Sequence, residues 1–186
     1  MDYTPMAGLH FEVLKEPRPV DVPAGTIEIV EFFWYGCPHS YAMAPLVDAW
    51  MKRQVNVSFT RVAANLRDGF LPHTAMFYAL AELGVLDKLH LEIFRAINVD
   101  RNLLVAPDVQ AEFAAAHGVD KDEYLDAYNS SHVQNESKQA RLKVESYAIE
   151  AFPTYVVHGQ WRIKPTHFQL PENTMEVLDY LLTQTA

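Results

Sequence analysis

The sequence predicts an α/β fold interrupted by a long helical segment, and three observations carry that prediction. Residues 26–34 form a nearly unbroken apolar run, rich in β-branched and aromatic side chains, which suits a central strand covered on both faces. A helical pattern and a second β-branched strand follow it directly, the order that implies a right-handed crossover and parallel pairing. From about 74 to 147 the chain then reads as helix after helix, with no convincing strand.

Bulk properties set the outer limits. A chain of 186 residues suits one generous domain or a small domain with an insertion. Hydrophobic residues at 49% and charged residues at 21% are ordinary for a globular protein with a real core. A net charge of −9 argues against non-specific binding to nucleic acid or to an anionic membrane. The sequence has one cysteine, so no internal disulfide staples the fold, and the cysteine count alone does not fix a compartment. No stretch approaches the length of a membrane span. The segment Met1–Gly8 lacks the basic and apolar regions of a secretory signal, which leaves a cytosolic protein or a mature form with its signal removed. No repeat, low-complexity tract or phosphate-binding glycine loop is present.

Taken in order, residues 9–14 alternate as a half-buried strand does, and the prolines at 17, 19 and 23 mark the loop that follows. Inside the strand at 26–34, Glu31 is the polar exception within the run 29–34. It is either an edge-facing or paired glutamate or a functional buried one. Pro38 to about Gln54 is helical, with Met43, Leu46, Val47 and Trp50 on one face and Pro45 positioned to kink it. Val55–Ala63 is the second strand, and Asn65–Pro72 a polar loop. Within the helical segment, breaks fall at Gly84, at Pro107 and at Gly118, and Asp120 with Glu123 resembles a capping box. The pairs Phe77 with Leu80 and Phe94 with Ile97 read as core packing. Tyr155–Val157 and Gln160–Ile163 form a hairpin around His158-Gly159, with Pro153 just before it. Pro171 opens a last amphipathic helix with Val177, Leu178, Leu181 and Leu182 inward.

The chemistry concentrates at Cys37, between the first long strand and its helix. A lone cysteine after an apolar run is commonly inert packing. Here Gly36 and Pro38 bracket it in a turn, with Pro38 suited to the first helical position. A cysteine so placed meets unpaired backbone N–H groups and the positive end of the helix dipole, and both favour thiolate over thiol. His39 can add a positive charge or a hydrogen-bond donor. Ser40 lies about one turn on, at the spacing of a Cys-x-x-Cys redox pair whose second sulfur is replaced by oxygen. A buried Glu31 behind such a thiol could carry protons to and from it.

Three matching pieces span nearly the whole chain. They are Val30-Glu31-Phe32-Phe33 ahead of Gly36-Cys37-Pro38-His39, Glu123-Tyr124 through Ala127-Tyr128-Asn129-Ser130, and Phe152-Pro153-Thr154-Tyr155 through Gly159. With them the chain resembles the DsbA family of bacterial thiol:disulfide oxidoreductases, a thioredoxin-like fold with an inserted all-helical subdomain. The resemblance implies a thioredoxin-like domain in two parts, 1–64 and 148–186, flanking a helical insert at 65–147. It implies that Cys37 is the nucleophile, that His39 stabilises its thiolate, and that Pro153 is the family's cis-proline packed against the active site. Phe152 and Pro38 would meet an extended substrate peptide, and Glu31 with Arg61 would form the buried acidic and basic pair. Further expectations are a periplasmic mature form, cysteine-containing secreted polypeptides as substrates, and a membrane-bound quinone-linked partner that reoxidises the enzyme. A monomer without metal or cofactor completes them.

One residue departs from the family's pattern. Ser40 cannot form a disulfide with Cys37, so this chain is not a competent dithiol oxidase. Ser40 is either a Cys→Ser replacement that traps mixed disulfides or the natural residue of a monothiol member, and the fit of its surroundings to the dithiol enzyme favours replacement. Two rival readings stand beside this one. A glutathione-dependent isomerase or transferase of the same fold would use the Ser40 hydroxyl. A non-catalytic peptide-binding module would use an aromatic surface around Trp34, Tyr35 and Phe152.

Overall fold

The computed structural model describes residues 4–164 and 171–185. It divides into two compact units, one made of residues 1–33, 42–62 and 151–186, the other of 34–41 and 63–150.

The first unit is built on a sheet of five strands: β1 (Glu12–Val13), β2 (Ile27–Phe33), β3 (Val57–Ala63), β4 (Thr154–Val157) and β5 (Trp161–Ile163), in the order β1-β5-β4-β2-β3. The pairings β1–β5, β5–β4 and β4–β2 are antiparallel. Strands β2 and β3 are neighbours joined through α1 (Pro38–Met51). All of Ile29–Phe33 is buried, Glu31 together with its four apolar neighbours, as suits a strand covered on both faces. The hairpin between β4 and β5 turns at His158 and Gly159, both at positive φ (47° and 62°), the twist that two-residue hairpin loops need. A Cβ on Gly159 would lie 2.2 Å from the Arg18 carbonyl oxygen, so this turn admits glycine. Met43, Val47 and Trp50 from α1 meet Val177, Leu178 and Leu181 from α7 (Pro171–Thr185) in one apolar core with Ile29, Tyr155 and Val157. The buried indole of Trp50 discharges its polar edge by donating Nε1–H to Asp179 Oδ1 at 2.7 Å.

The second unit contains α2 (Leu71–Glu82), α3 (Leu86–Asn98), α4 (Pro107–Ala116), α5 (Lys121–Tyr128) and α6 (Ser131–Ser146). Helix α2 packs against α3, α5 and α6, and buries Phe77 and Leu80. Phe94 and Ile97 of α3 are buried as well. Asp120 accepts from the N–H groups of Asp122 and Glu123, and Ser130 from that of Val133, so both helices start on a side-chain cap. Gln110 is fully buried and fully engaged. Its amide donates to the carbonyls of Pro72 and Leu104, and its oxygen accepts from Tyr124 Oη–H at 2.7 Å.

Two local expectations are corrected. The strand predicted at 9–14 shrinks to Glu12–Val13, because Gly8 (φ 83°) bends the chain into a turn closed by its N–H on the Phe11 carbonyl. The predicted loop at 65–72 instead holds a 3-10 turn at Asp68–Phe70, and α2 already begins at Leu71. There Pro72 sits in the first turn, where its missing N–H costs nothing. None of the described helices is long and apolar enough to cross a membrane.

Candidate active site

The turn that carries Cys37 is fixed from both sides. Its N–H donates to the Trp34 carbonyl at 3.0 Å, closing a four-residue turn, and its own carbonyl accepts the first α1 bond, from Tyr41 N–H at 3.0 Å. Cys37 therefore sits at the cap position, with Pro38 opening the helix. The N–H groups of His39 and Ser40 lie too close to the start for partners within the helix. The first turn holds no acidic residue to oppose an anion. Cys37 is half-buried, Pro38 and His39 are exposed, and Ser40 is only 1% exposed. The Ser40 hydroxyl lies 3.5 Å from the Trp34 N–H, a long contact in which the oxygen is the acceptor.

Aromatic side chains hold this turn. The Trp34 indole stacks on Phe70 with ring centroids 4.0 Å apart. A Cβ on Gly36 would lie 2.3 Å from the same indole, so the turn closes over Trp34 only because residue 36 has no side chain. Trp34 Nε1–H donates to His73 Nδ1 at 3.0 Å, which leaves His73 Nε2–H to donate to the Leu103 carbonyl at 2.8 Å. Burial pushes the His73 imidazole below its ordinary range, against the opposing pull of the Leu103 carbonyl. Geometry and burial thus agree on a neutral ring. Tyr35 is 1% exposed and pairs through its hydroxyl with His90 Nδ1 at 2.8 Å, while its carbonyl accepts from Asn98 Nδ2 at 2.9 Å.

Within the sheet unit, Glu31 is a buried and paired carboxylate, 3% exposed. Its Oε2 accepts from Arg61 Nε at 3.0 Å and its Oε1 from Tyr155 Oη–H at 3.0 Å. The Tyr155 contact follows from register, since Glu31 and Tyr155 are directly opposed on β2 and β4. Arg61 also bonds Asp48 on α1. Burial pushes the Glu31 carboxyl above the usual carboxylate range, with Arg61 and the Tyr155 hydroxyl pulling the other way. Burial likewise raises Tyr155 well above an ordinary phenol, so it remains a donor. The adjacent register pair is Phe32 with Thr154, directly after Pro153, and the Phe152–Pro153 bond is cis.

The site residues therefore fall into two sets. Cys37, His39 and Ser40 share one turn with Trp34, while Glu31, Arg61 and Tyr155 share one buried network. His73, His90, Asn98 and Phe70 were missed from the sequence. His73 carried a usable signal, a lone histidine in the otherwise apolar face of α2. The aromatic-surface reading is overturned, because Tyr35 and Phe152 (7% exposed) are buried and cannot present rings to a partner. No group of three or more metal-ligating side chains occurs among the described residues.

Comparison with known proteins places this geometry. Residues 51–182 match the model of the DSBA-like thioredoxin domain. The thiol:disulfide interchange protein DsbA of Burkholderia cepacia is 46% identical over 181 residues, 97% of this chain and 85% of the relative. That of Azotobacter vinelandii is 42% identical over 178 residues, 95% of this chain and 83% of the relative. The crystal structure of Pseudomonas aeruginosa DsbA superposes with a TM-score of 0.90 at 35% identity, covering 97% of this chain and 94% of that one. With a thioredoxin-like sheet, a helical insertion and at least 95% of its own sequence aligned with those relatives, this chain belongs to the DsbA family of thiol:disulfide interchange proteins.

Proposed function

We propose that Cys37 is the nucleophile of a thiol:disulfide oxidoreductase, and that in this Ser40 form it captures partners as mixed disulfides. The observation that carries the reading is the position of the sole cysteine, capping α1 in a chain aligned with DsbA over 97% of its length. The Cys37 thiolate attacks one sulfur of a partner disulfide. The S–S bond breaks, a Cys37–sulfur bond forms, and the other partner sulfur leaves as thiolate. In a dithiol enzyme the second cysteine would then attack from within, at high effective concentration. A serine hydroxyl is barely ionised at neutral pH and cannot complete that exchange. The adduct persists until an external thiol arrives.

In this reading His39 supports the thiolate from its exposed position in the first turn. Phe152, through its backbone atoms, with Pro153 and Pro38 receives an extended substrate peptide. Glu31 with Arg61 handles protons from its buried site. The substrates are cysteine-containing secreted polypeptides, the compartment is the periplasm, and a membrane-bound quinone-linked protein reoxidises the dithiol counterpart. The protein works as a monomer, its thioredoxin-like domain at 1–64 and 148–186 and its helical insert at 65–147. Catalysis by Ser40 in a glutathione-dependent enzyme is disfavoured, because a residue 1% exposed offers its hydroxyl to no substrate.

Mass spectrometry after incubation with glutathione disulfide or an oxidised peptide tests the capture. An adduct on Cys37 that only added thiol removes is expected. Ser40→Cys should restore peptide oxidation. A Ser40→Cys protein that folds normally yet stays inert in insulin-reduction and peptide-oxidation assays would remove the oxidoreductase reading.

A further inference from the structure

The turn that presents Cys37 is moulded on one side chain, the Trp34 indole. Residues 34–37 close through the Cys37 N–H on the Trp34 carbonyl at 3.0 Å, and the Trp34 N–H faces the Ser40 hydroxyl at 3.5 Å. The indole folds back against the same turn, so near that a Cβ on Gly36 would lie 2.3 Å from it. Any shift of the ring is therefore passed to Gly36 and on to Cys37. A sulfur at a helix cap is held as thiolate by N–H groups within hydrogen-bond reach, and that support weakens steeply once distance or angle is lost.

Two contacts fix the indole. Stacking on Phe70, with ring centroids 4.0 Å apart and planes 18° apart, sets its tilt. A stacked pair can still slide and turn in its own plane. The bond from Trp34 Nε1–H to His73 Nδ1 at 3.0 Å removes that freedom. An indole nitrogen donates and never accepts, so His73 Nδ1 has to carry a lone pair. The Leu103 carbonyl, which accepts and never donates, lies 2.8 Å from Nε2 and holds the proton there. Both neighbours thus select the same neutral tautomer of a ring that is 6% exposed. His73 comes from α2, and Leu103 from the segment between α3 and α4.

We propose that His73 is a positioning residue for Cys37: by accepting the indole N–H at Nδ1 it sets the turn, and with it the rate at which the thiolate attacks. Filling the space beside Trp34 needs the bulk of a ring and nothing more. An acceptor at Nδ1 acts instead on one donor, and that donor belongs to the residue whose carbonyl closes the cysteine turn. The inference rests on Cys37 as the nucleophile and adds what holds that nucleophile in place.

The test compares two amide replacements in the full chain. Asparagine carries an acceptor two bonds from Cβ, as histidine carries Nδ1; glutamine carries its polar atoms three bonds out, where histidine carries Nε2. His73→Asn therefore keeps the contact to Trp34 and loses that to Leu103, and His73→Gln does the reverse. Alkylation of Cys37 by iodoacetamide is followed as a function of pH, which separates the titration of the thiol from the limiting rate of the thiolate. Urea unfolding is measured alongside. At neutral pH His73→Gln should react about tenfold more slowly than the parent, the scale on which a slightly misplaced reacting group loses rate, while His73→Asn stays within about twofold. In a Trp34→Phe background, which has no indole N–H, the two variants should react alike. Equal rates for the two variants with Trp34 in place, rates that simply follow urea stability, or a gap that survives Trp34→Phe would each overturn the proposal. If His73→Gln does not fold, Trp34→Phe alone decides: a rate about tenfold below the parent supports the anchor, and the parent's rate overturns it. Iodoacetamide alkylates a thiolate without disulfide exchange, so failure here is distinct from failure of the oxidoreductase reading.

Discussion

Arg61→Met isolates the electrostatics of the buried network. The substitution keeps most of the aliphatic stem but removes the guanidinium that bonds Glu31 and Asp48. Asp48, 31% exposed, turns to water; Glu31, 4% exposed at its side chain, cannot. Losing the guanidinium removes the charge that holds the Glu31 carboxyl down, so burial raises it further above 4.5 in the folded variant, still bonded to Tyr155, while the unfolded chain ionises it near that value. Each tenfold loss of acidity relative to the parent costs the folded variant about 1.4 kcal/mol once the pH exceeds the raised range, so the deficit is larger at pH 7 than at pH 5. The sign follows from linkage. A carboxyl raised on folding contributes its stability in full below 4.5 and loses it as pH rises through the raised value. Urea denaturation of parent and variant at pH 5 and pH 7 reads the difference. Glu31→Gln on top of Arg61→Met should recover most of the loss at pH 7. A deficit equal at the two pH values, or one that Glu31→Gln leaves in place, would show that the cost is lost packing and refute the argument.

Three further outcomes follow from the turn and the helical unit. Gly36→Ala drives a methyl into the Trp34 indole at 2.3 Å, and should cost about 1–3 kcal/mol in thermal or urea unfolding while changing the alkylation rate of Cys37. Acid should break the Trp34–His73 bond, because protonated Nδ1 no longer accepts the indole N–H. The stability held by neutral His73 is complete above its ordinary 6.5 and is lost as pH falls through the lowered value. The Trp34 indole N–H resonance should therefore shift with a midpoint below 6.5, and a midpoint above it would contradict the burial argument. Asp120→Ala removes the oxygen that accepts from Asp122 and Glu123 N–H and should lose about 1 kcal/mol in urea unfolding, with Asp120→Asn nearly silent.

What the sequence determined by itself was whatever is written in local pattern. The apolar run of β2 had no other place than a covered strand. Pro38 after a glycine-bracketed cysteine marked a helix start, and His158-Gly159 between two short β-branched runs marked a hairpin. These signals need only neighbours a few residues apart, and backbone sterics and side-chain periodicity act at that range. The tertiary structure decided the partners. The pairing of Glu31 with Arg61 had been suggested by resemblance, but the Tyr155 hydroxyl on its other oxygen depends on the β2–β4 register, 124 residues apart in sequence. The His73 bridge from Trp34 to Leu103 and the burial of Ser40, Tyr35 and Phe152 were equally invisible. Hydrogen bonds and desolvation act at contact distance, and which groups reach contact is settled only when the chain is packed.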